Sequence, residues 1–295
     1  MSRESPNYNT SSMATISNGI FFSDLDGTLL NQEARLSDTS YALITELLQK
    51  GLRFGIASAR NLDTIQTMMR GLEISLPVIS LNGAYISDIK TKRHLQINDI
   101  NGTVKQDLFQ YIDKNETGVF LSTHKNGKDA ISHIYLQNEG EQWYVQDRKG
   151  SPRQQIEGID RLSSLDSHKI TCFTFVNRKE KLKDLHDYLQ EHHGSETELH
   201  LFENMYSRGW FWLTVHSARA TKSNAIAHIL EHYNLSEKHL TVFGDGMNDL
   251  PMFELAHTAV AMSNAQETVK QKADVIIGNN NEDSVAKYLV ERVAP

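Results

Sequence analysis

From residue 20 the chain alternates short unbroken apolar runs with longer stretches whose apolar residues recur every three or four positions. Ile20-Phe21-Phe22 has no polar alternation, the pattern of a strand buried on both faces of a parallel sheet. Leu43, Ile44, Leu47 and Leu48 form a helical stripe ending at Lys50, with Gly51 placed to cap it. A second buried strand over Leu52–Ala57, a helix over Leu62–Met69 and a strand over Val78–Leu81 follow. That order predicts a parallel sheet with helices on both faces. The rhythm returns near the C-terminus, with a helix over Lys222–Tyr233, a strand over Leu240–Phe243 and a short helix over Pro251–Leu255. Strands at Ala259–Met262 and Val275–Ile277, a helix at Thr268–Lys272 and a last helix from Ser284 complete it.

Residues 88–216 read differently. Strands of mixed polarity are expected at Val119–Thr123, Ala130–Leu136, Lys169–Val176, His200–Glu203 and Trp210–His216, with helices over Val104–Lys114 and Glu180–His192. The expected organisation is a tail over 1–17, one α/β core from 18–87 and 217–295, and an inserted α+β domain over 88–216. The tail is polar, reads as mobile and receives no function.

Bulk properties narrow the classes. A length of 295 residues suits roughly two domains, and 39% hydrophobic with 23% charged residues is ordinary globular composition. A net charge of −7 disfavours nucleic acid or an anionic membrane as partner. No apolar run approaches the roughly 18 residues of a membrane span, and no leader-like segment opens the chain. Cys172 is the single cysteine, set among Ile170, Phe173 and Phe175, so the expectation is a buried thiol in a reducing cytoplasm.

Candidate chemistry sits at the predicted strand ends, where open α/β sheets bind ligands. The first strand runs into Asp24-Leu25-Asp26-Gly27-Thr28, two carboxylates that cannot be core without partners. Ser58 and Arg60 follow the second strand, and Asn82-Gly83 the third. Thr221-Lys222-Ser223 opens the helix after the insertion, and Gly244-Asp245-Gly246-Met247-Asn248-Asp249 follows the strand after it. Four carboxylates gathered in one cleft repel one another unless a cation intervenes. Hard oxygen donors without His or Cys point to magnesium, and a lysine, a hydroxyl and free N–H groups suit a phosphoryl group.

These residues resemble, in order and spacing, the four motifs of the haloacid dehalogenase superfamily. Asn82-Gly83-Ala84, Lys222-Ser223-Asn224-Ala225 and Ala261-Met262-Ser263-Asn264-Ala265 resemble its Cof-type phosphatase branch. The resemblance implies a Rossmann-like core with an α+β cap inserted over 88–216. It implies that Asp24 attacks phosphorus to form an aspartyl-phosphate, and that Asp26 protonates the leaving alcohol and then deprotonates water. It assigns magnesium to the Asp24 carboxylate, the Asp26 carbonyl and Asp245, with Asp249 in support, and the phosphoryl oxygens to Ser58, Lys222 and Asn248. Arg60, Asn82 and Arg208 are candidate substrate contacts. Two departures stand out: Ser58-Ala59-Arg60 replaces the usual Thr-Gly-Arg, and Ser284 replaces a glycine near the last helix, where it is expected to cap that helix.

The expected function is magnesium-dependent hydrolysis of a small phosphorylated metabolite, a sugar phosphate or phosphorylated cofactor, by a monomer or small homo-oligomer. A phosphomannomutase-like phosphomutase and a non-catalytic phosphometabolite-binding regulator are the alternatives. An EF-hand reading of Asp24–Gly27 fails in register, because Leu29 and Arg35 stand where Gly and Glu belong. His228 and His232 match a zinc pattern but fall on the polar side of their helix, opposite Ile226, Ile229 and Leu230. His186, His192 and His193 are expected on the solvated face and end of the second cap helix. Trp210 and Trp212 alternate along one cap strand and either pack on the sheet or line a substrate.

Overall fold

The computed structural model describes residues 19–148, 156–203 and 207–293. The tail expected over 1–17 lies outside the described residues. The described residues fall into two compact units, one within 19–55, 70–76 and 236–293 and the other within 56–69 and 77–235.

The first unit is built on a five-stranded sheet in the order Val275–Ile277, Thr258–Met262, Leu240–Gly244, Ile20–Ser23, Arg53–Ile56. The first four strands pair in parallel. Ile20, Phe21 and Phe22 are buried together, as an unbroken apolar run requires. Helices Asp38–Gln49 and Ser284–Val293 pack on each other. Ser37 starts the former by accepting from the Ser40 N–H at 2.9 Å, and the Asp283 carboxylate takes the Ser37 and Ser40 hydroxyls. Ser284 stands at the head of the last helix, and its hydroxyl donates back to the Asn279 carbonyl at 2.8 Å. Sheet order reverses between Ile20–Ser23 and Leu240–Gly244, which sets a crevice at the carboxyl ends of those two strands.

The second unit carries a six-stranded sheet in the order Thr197–Glu203, Phe211–Ser217, Lys169–Asn177, Val119–Lys125, Lys128–Ile134, Ile156–Gly158. All pairs are antiparallel except the last. Val119, Leu121, Phe173, Phe175, Leu213 and Val215 face helices Gly102–Asn115 and Lys179–His193 and form the core. Helix Glu139–Arg148 covers the other face, with Tyr144 stacked on Phe120 at 4.0 Å. Its sequence gave no helical stripe, because Trp143, Tyr144 and Val145 are consecutive rather than spaced by three or four. Trp212 meets Tyr144 edge-on at 5.2 Å, so this tryptophan is part of the packing; Trp210 lies under the Arg178 guanidinium at 3.9 Å.

One expectation is extended and another corrected. Val78–Ser80 touches a parallel neighbour through a single bridge from Ile79 to Ala57, and its registered pairing is antiparallel, with Tyr85–Ser87, which in turn pairs with His94–Ile97. Leu81, Asn82 and Gly83 all take positive φ, and this turn folds the chain back on itself at once. His193 is also inside: it follows Leu182, Leu185 and Leu189 on the buried stripe, and its Nε2 meets the Asp107 carboxylate at 2.8 Å. His228 and His232 are exposed, as the helical pattern predicts, and Cys172 is buried, which pushes its thiol up to about 12. Among the described residues no helix is long and apolar enough to cross a membrane.

His216 yields a pH prediction. It is buried, its Nδ1 donates to the Thr171 carbonyl at 3.1 Å, and burial with the neighbouring His200 imidazole pushes it down to about 4. Because the folded value lies below the ordinary 6.5, the unfolded chain takes up the proton first. The stability His216 contributes is therefore complete above pH 6.5 and drains away as pH falls toward 4. NMR should show its imidazole flat down to about pH 5; a midpoint near 6.5 would contradict the burial argument.

Candidate active site

In the first unit, three of the expected acids meet. Oxygens of Asp24, Asp245 and Asp249 lie within 4.8 Å of one another. Each is delivered by local geometry. Asp24 continues the Ile20–Ser23 strand, its N–H donating to the Phe243 carbonyl at 3.0 Å, and its side chain is buried. Asp249 is fully buried, and its Oδ2 accepts from the backbone N–H groups of Asp245 at 3.0 Å and Gly246 at 2.9 Å. The loop after the Leu240–Gly244 strand is thus wound around one carboxylate. Asp245 is half-buried, and its Oδ1 accepts from the Thr28 hydroxyl at 2.9 Å.

Gly27 makes that approach feasible. Its φ of +74° is left-handed, and any Cβ there would run into the Asp245 carboxylate. The Gly27 carbonyl is held in turn by the Asn264 amide at 2.8 Å. Asp26 has extended backbone and an exposed side chain that is not one of the three clustered acids. Asn248 is exposed in the same loop as Asp245 and Asp249.

The acid cluster fits a hard divalent cation. All its donors are carboxylate oxygens, and three such charges this close repel strongly without a counter-charge. Asp249 commits one oxygen to two N–H groups, and Asp245 commits one to Thr28, which fixes the directions of the oxygens that remain. Thr28 and Asn264 are the positions whose roles sequence reasoning missed. Both lie inside recognised motifs, and the signal available was a hydrogen-bonding side chain directly beside each essential turn.

In the second unit, Ser58 is fully buried, its N–H donating to the Ile79 carbonyl and its carbonyl accepting from the Asn82 N–H, both at 3.0 Å. The Ser58 hydroxyl accepts from the Arg60 N–H at 3.2 Å. Gly83, at φ +109°, lies so close to the Thr221 backbone that no side chain fits there. Thr221 caps the Lys222–His232 helix by accepting from the Asn224 N–H at 3.1 Å. The turn bearing Asn82 is thereby seated against the residue preceding Lys222, and Lys222 is buried at 2% exposure. A buried ammonium is tolerated only when it is paired, so this lysine is not ordinary solvated surface. Arg208 is exposed in the turn preceding the Phe211–Ser217 strand.

A family model described as haloacid dehalogenase-like hydrolase matches residues 21–289. The chain is 24% identical to the pyridoxal phosphate phosphatase YbhA of Escherichia coli, over 90% of this chain and 95% of that one. It is also 24% identical to the 5-amino-6-(5-phospho-D-ribitylamino)uracil phosphatase YitU of Bacillus subtilis, over 91% and 95%. The crystal structure of TM0651 from Thermotoga maritima superposes with a TM-score of 0.77 at 26% identity, covering 94% of this chain and 98% of that one.

Replacing Asp249 with alanine removes the acceptor of two half-buried backbone N–H groups of the loop. The expected cost is about 1–3 kcal/mol of unfolding free energy, read from urea denaturation. An unchanged midpoint would mean that the loop does not depend on this carboxylate.

Proposed function

Because the chain belongs to the haloacid dehalogenase-like hydrolase family, we propose that it is a magnesium-dependent phosphatase acting on a small phosphorylated metabolite. The observation that carries this reading is the trio of carboxylates at adjoining strand ends, with Asp24 buried at the end of the first strand. Asp24 is the nucleophile: one of its oxygens attacks phosphorus, the ester oxygen leaves, and an aspartyl-phosphate results. Asp26, whose side chain is exposed, gives its proton to the departing alkoxide. It then takes a proton from the water that attacks the phosphoenzyme, returning Asp24 as carboxylate and releasing inorganic phosphate.

Asp24, the Asp26 carbonyl and Asp245, with Asp249 in support, are the residues assigned to hold magnesium, which when bound neutralises charge on the phosphoryl oxygens. Ser58 and Lys222 are assigned to those same oxygens as hydroxyl donor and cation, with Asn248 as a third contact. Residues 88–216 are assigned to substrate choice, with Arg60, Asn82 and Arg208 as contacts. Two relatives of equal identity to this chain are named for different substrates, so the reaction class transfers to this protein and the individual substrate does not.

A phosphate-release screen over sugar phosphates, nucleotides, flavin mononucleotide and pyridoxal phosphate tests the reading. Turnover should require magnesium, vanish on chelation and return on its addition. Asp24→Asn should lower kcat by about 10³-fold or more with the fold intact by circular dichroism. Full activity in that variant would overturn the assignment of the nucleophile. Tight binding of a phosphometabolite without phosphate release would favour a regulator, and isomerisation of a hexose phosphate with no net release would favour a mutase.

A further inference from the structure

A second group of metal-ligating side chains lies within the second unit. His94 begins the edge strand His94–Ile97 of the three-stranded sheet. His124 and Asp129 face each other across the hairpin of the six-stranded sheet, as registered partners on strands Val119–Lys125 and Lys128–Ile134. The hairpin turn is Asn126-Gly127, both residues at positive φ, the tight turn whose twist matches its strands. Two ligands are therefore fixed on a rigid scaffold rather than on a loop.

The donor atoms converge. Asp129 Oδ1 lies 2.7 Å from His124 Nδ1, and the Asp129 carboxylate lies 2.9 and 3.1 Å from His94 Nε2. One ligand atom from each residue falls within a common 4.8 Å. Ligands about 2.0–2.1 Å from a tetrahedral zinc sit about 3.3 Å apart, so small adjustments admit an ion. The two imidazole rings stand edge to face at 5.1 Å, and Tyr85 walls the His94 ring at 4.3 Å.

Support behind the ligands is also present. His94 Nδ1 lies 2.8 Å from the hydroxyl of the fully buried Ser87. A hydroxyl donates or accepts equally well, so Ser87 can take the Nδ1 proton's hydrogen bond while Nε2 offers its lone pair to a metal. The His94 and His124 side chains are 7% and 15% exposed, whereas Asp129 is 49% exposed. The solvent side is thus left for an incoming ion and a fourth, water ligand.

We propose that His94, His124 and Asp129 form a three-ligand site for a borderline divalent metal of the zinc class. Two imidazoles and one carboxylate select such ions over magnesium, which prefers all-oxygen donors. The site is independent of the phosphatase reading, since its donors differ in kind from the Asp24, Asp245 and Asp249 cluster. Bound metal ties the edge strand His94–Ile97 to the Val119–Ile134 hairpin, and binding to the folded state alone raises the stability of the unit.

Cobalt(II) is the probe. Chelator-treated full-length protein is titrated with cobalt in excess magnesium, which occupies oxygen-only sites, and bound cobalt is read by equilibrium dialysis and visible absorption. Wild type should take up one equivalent more than His124→Gln or Asp129→Asn, with a four-coordinate spectrum in the difference. Any binding at the exposed His228 and His232 pair is common to all three proteins and cancels. Zinc should raise the thermal midpoint of wild type but not of either variant, the metal-free midpoint of Asp129→Asn confirming its fold. Equal cobalt uptake by wild type and both variants, or equal zinc shifts, would overturn the site and leave a hydrogen-bonded His–Asp–His ladder.

Discussion

Three carboxylates held within 4.8 Å of one another are an electrostatic burden that no folded chain carries without compensation. Here the compensation is partly internal: two backbone N–H groups face Asp249, and one hydroxyl faces Asp245. Those hydrogen bonds settle the shape of the loop, but they leave the net negative charge in place. A cluster of this kind at the carboxyl ends of two adjacent parallel strands offers oxygen donors that fit a divalent cation. The surrounding features follow from that requirement. Gly27 is left-handed because a side chain would displace the Asp245 carboxylate, and Asn264 clamps the Gly27 carbonyl so that the turn keeps its course.

The second unit shows the same economy with other chemistry. Gly83 has no room for a side chain against Thr221, and in the turn it completes the Asn82 N–H donates to the Ser58 carbonyl. Lys222 is buried directly after the cap that starts its helix. Sheet register pairs His124 with Asp129, and the hydroxyl of the buried Ser87 lies 2.8 Å from His94 Nδ1. In each case the candidate side chains are positioned by backbone geometry, and a few small residues make that geometry accessible.

How far sequence reasoning reached follows from this. Asp24, Asp245 and Asp249 could be picked out because two strand-like runs, Ile20–Phe22 and Leu240–Phe243, each stop at a short loop that carries both acids and glycine. The parallel sheet of the first unit was legible for the same reason, since runs such as Ile20–Phe22 are buried on both faces. Val78–Ser80 was read as a strand in parallel beside Leu52–Ala57 and does bridge Ala57 in parallel, but its antiparallel pairing with Tyr85–Ser87 was missed, because the positive φ of Leu81 and Asn82 leaves no mark in composition. Helix Glu139–Arg148 was missed for want of a stripe, whereas His193 was misplaced although it stands four residues after Leu189 on a stripe that was visible. The His94, His124 and Asp129 group had no linear signal at all, because its members meet only when two sheets are assembled.

The central claim is that Asp24 attacks phosphorus, so that hydrolysis proceeds in two displacements. The stereochemical course at phosphorus tests this most directly, using an isotopically chiral phosphate monoester that the enzyme turns over with magnesium present. Two in-line displacements predict net retention of configuration. Net inversion would show that water attacks the substrate directly, and would contradict the account.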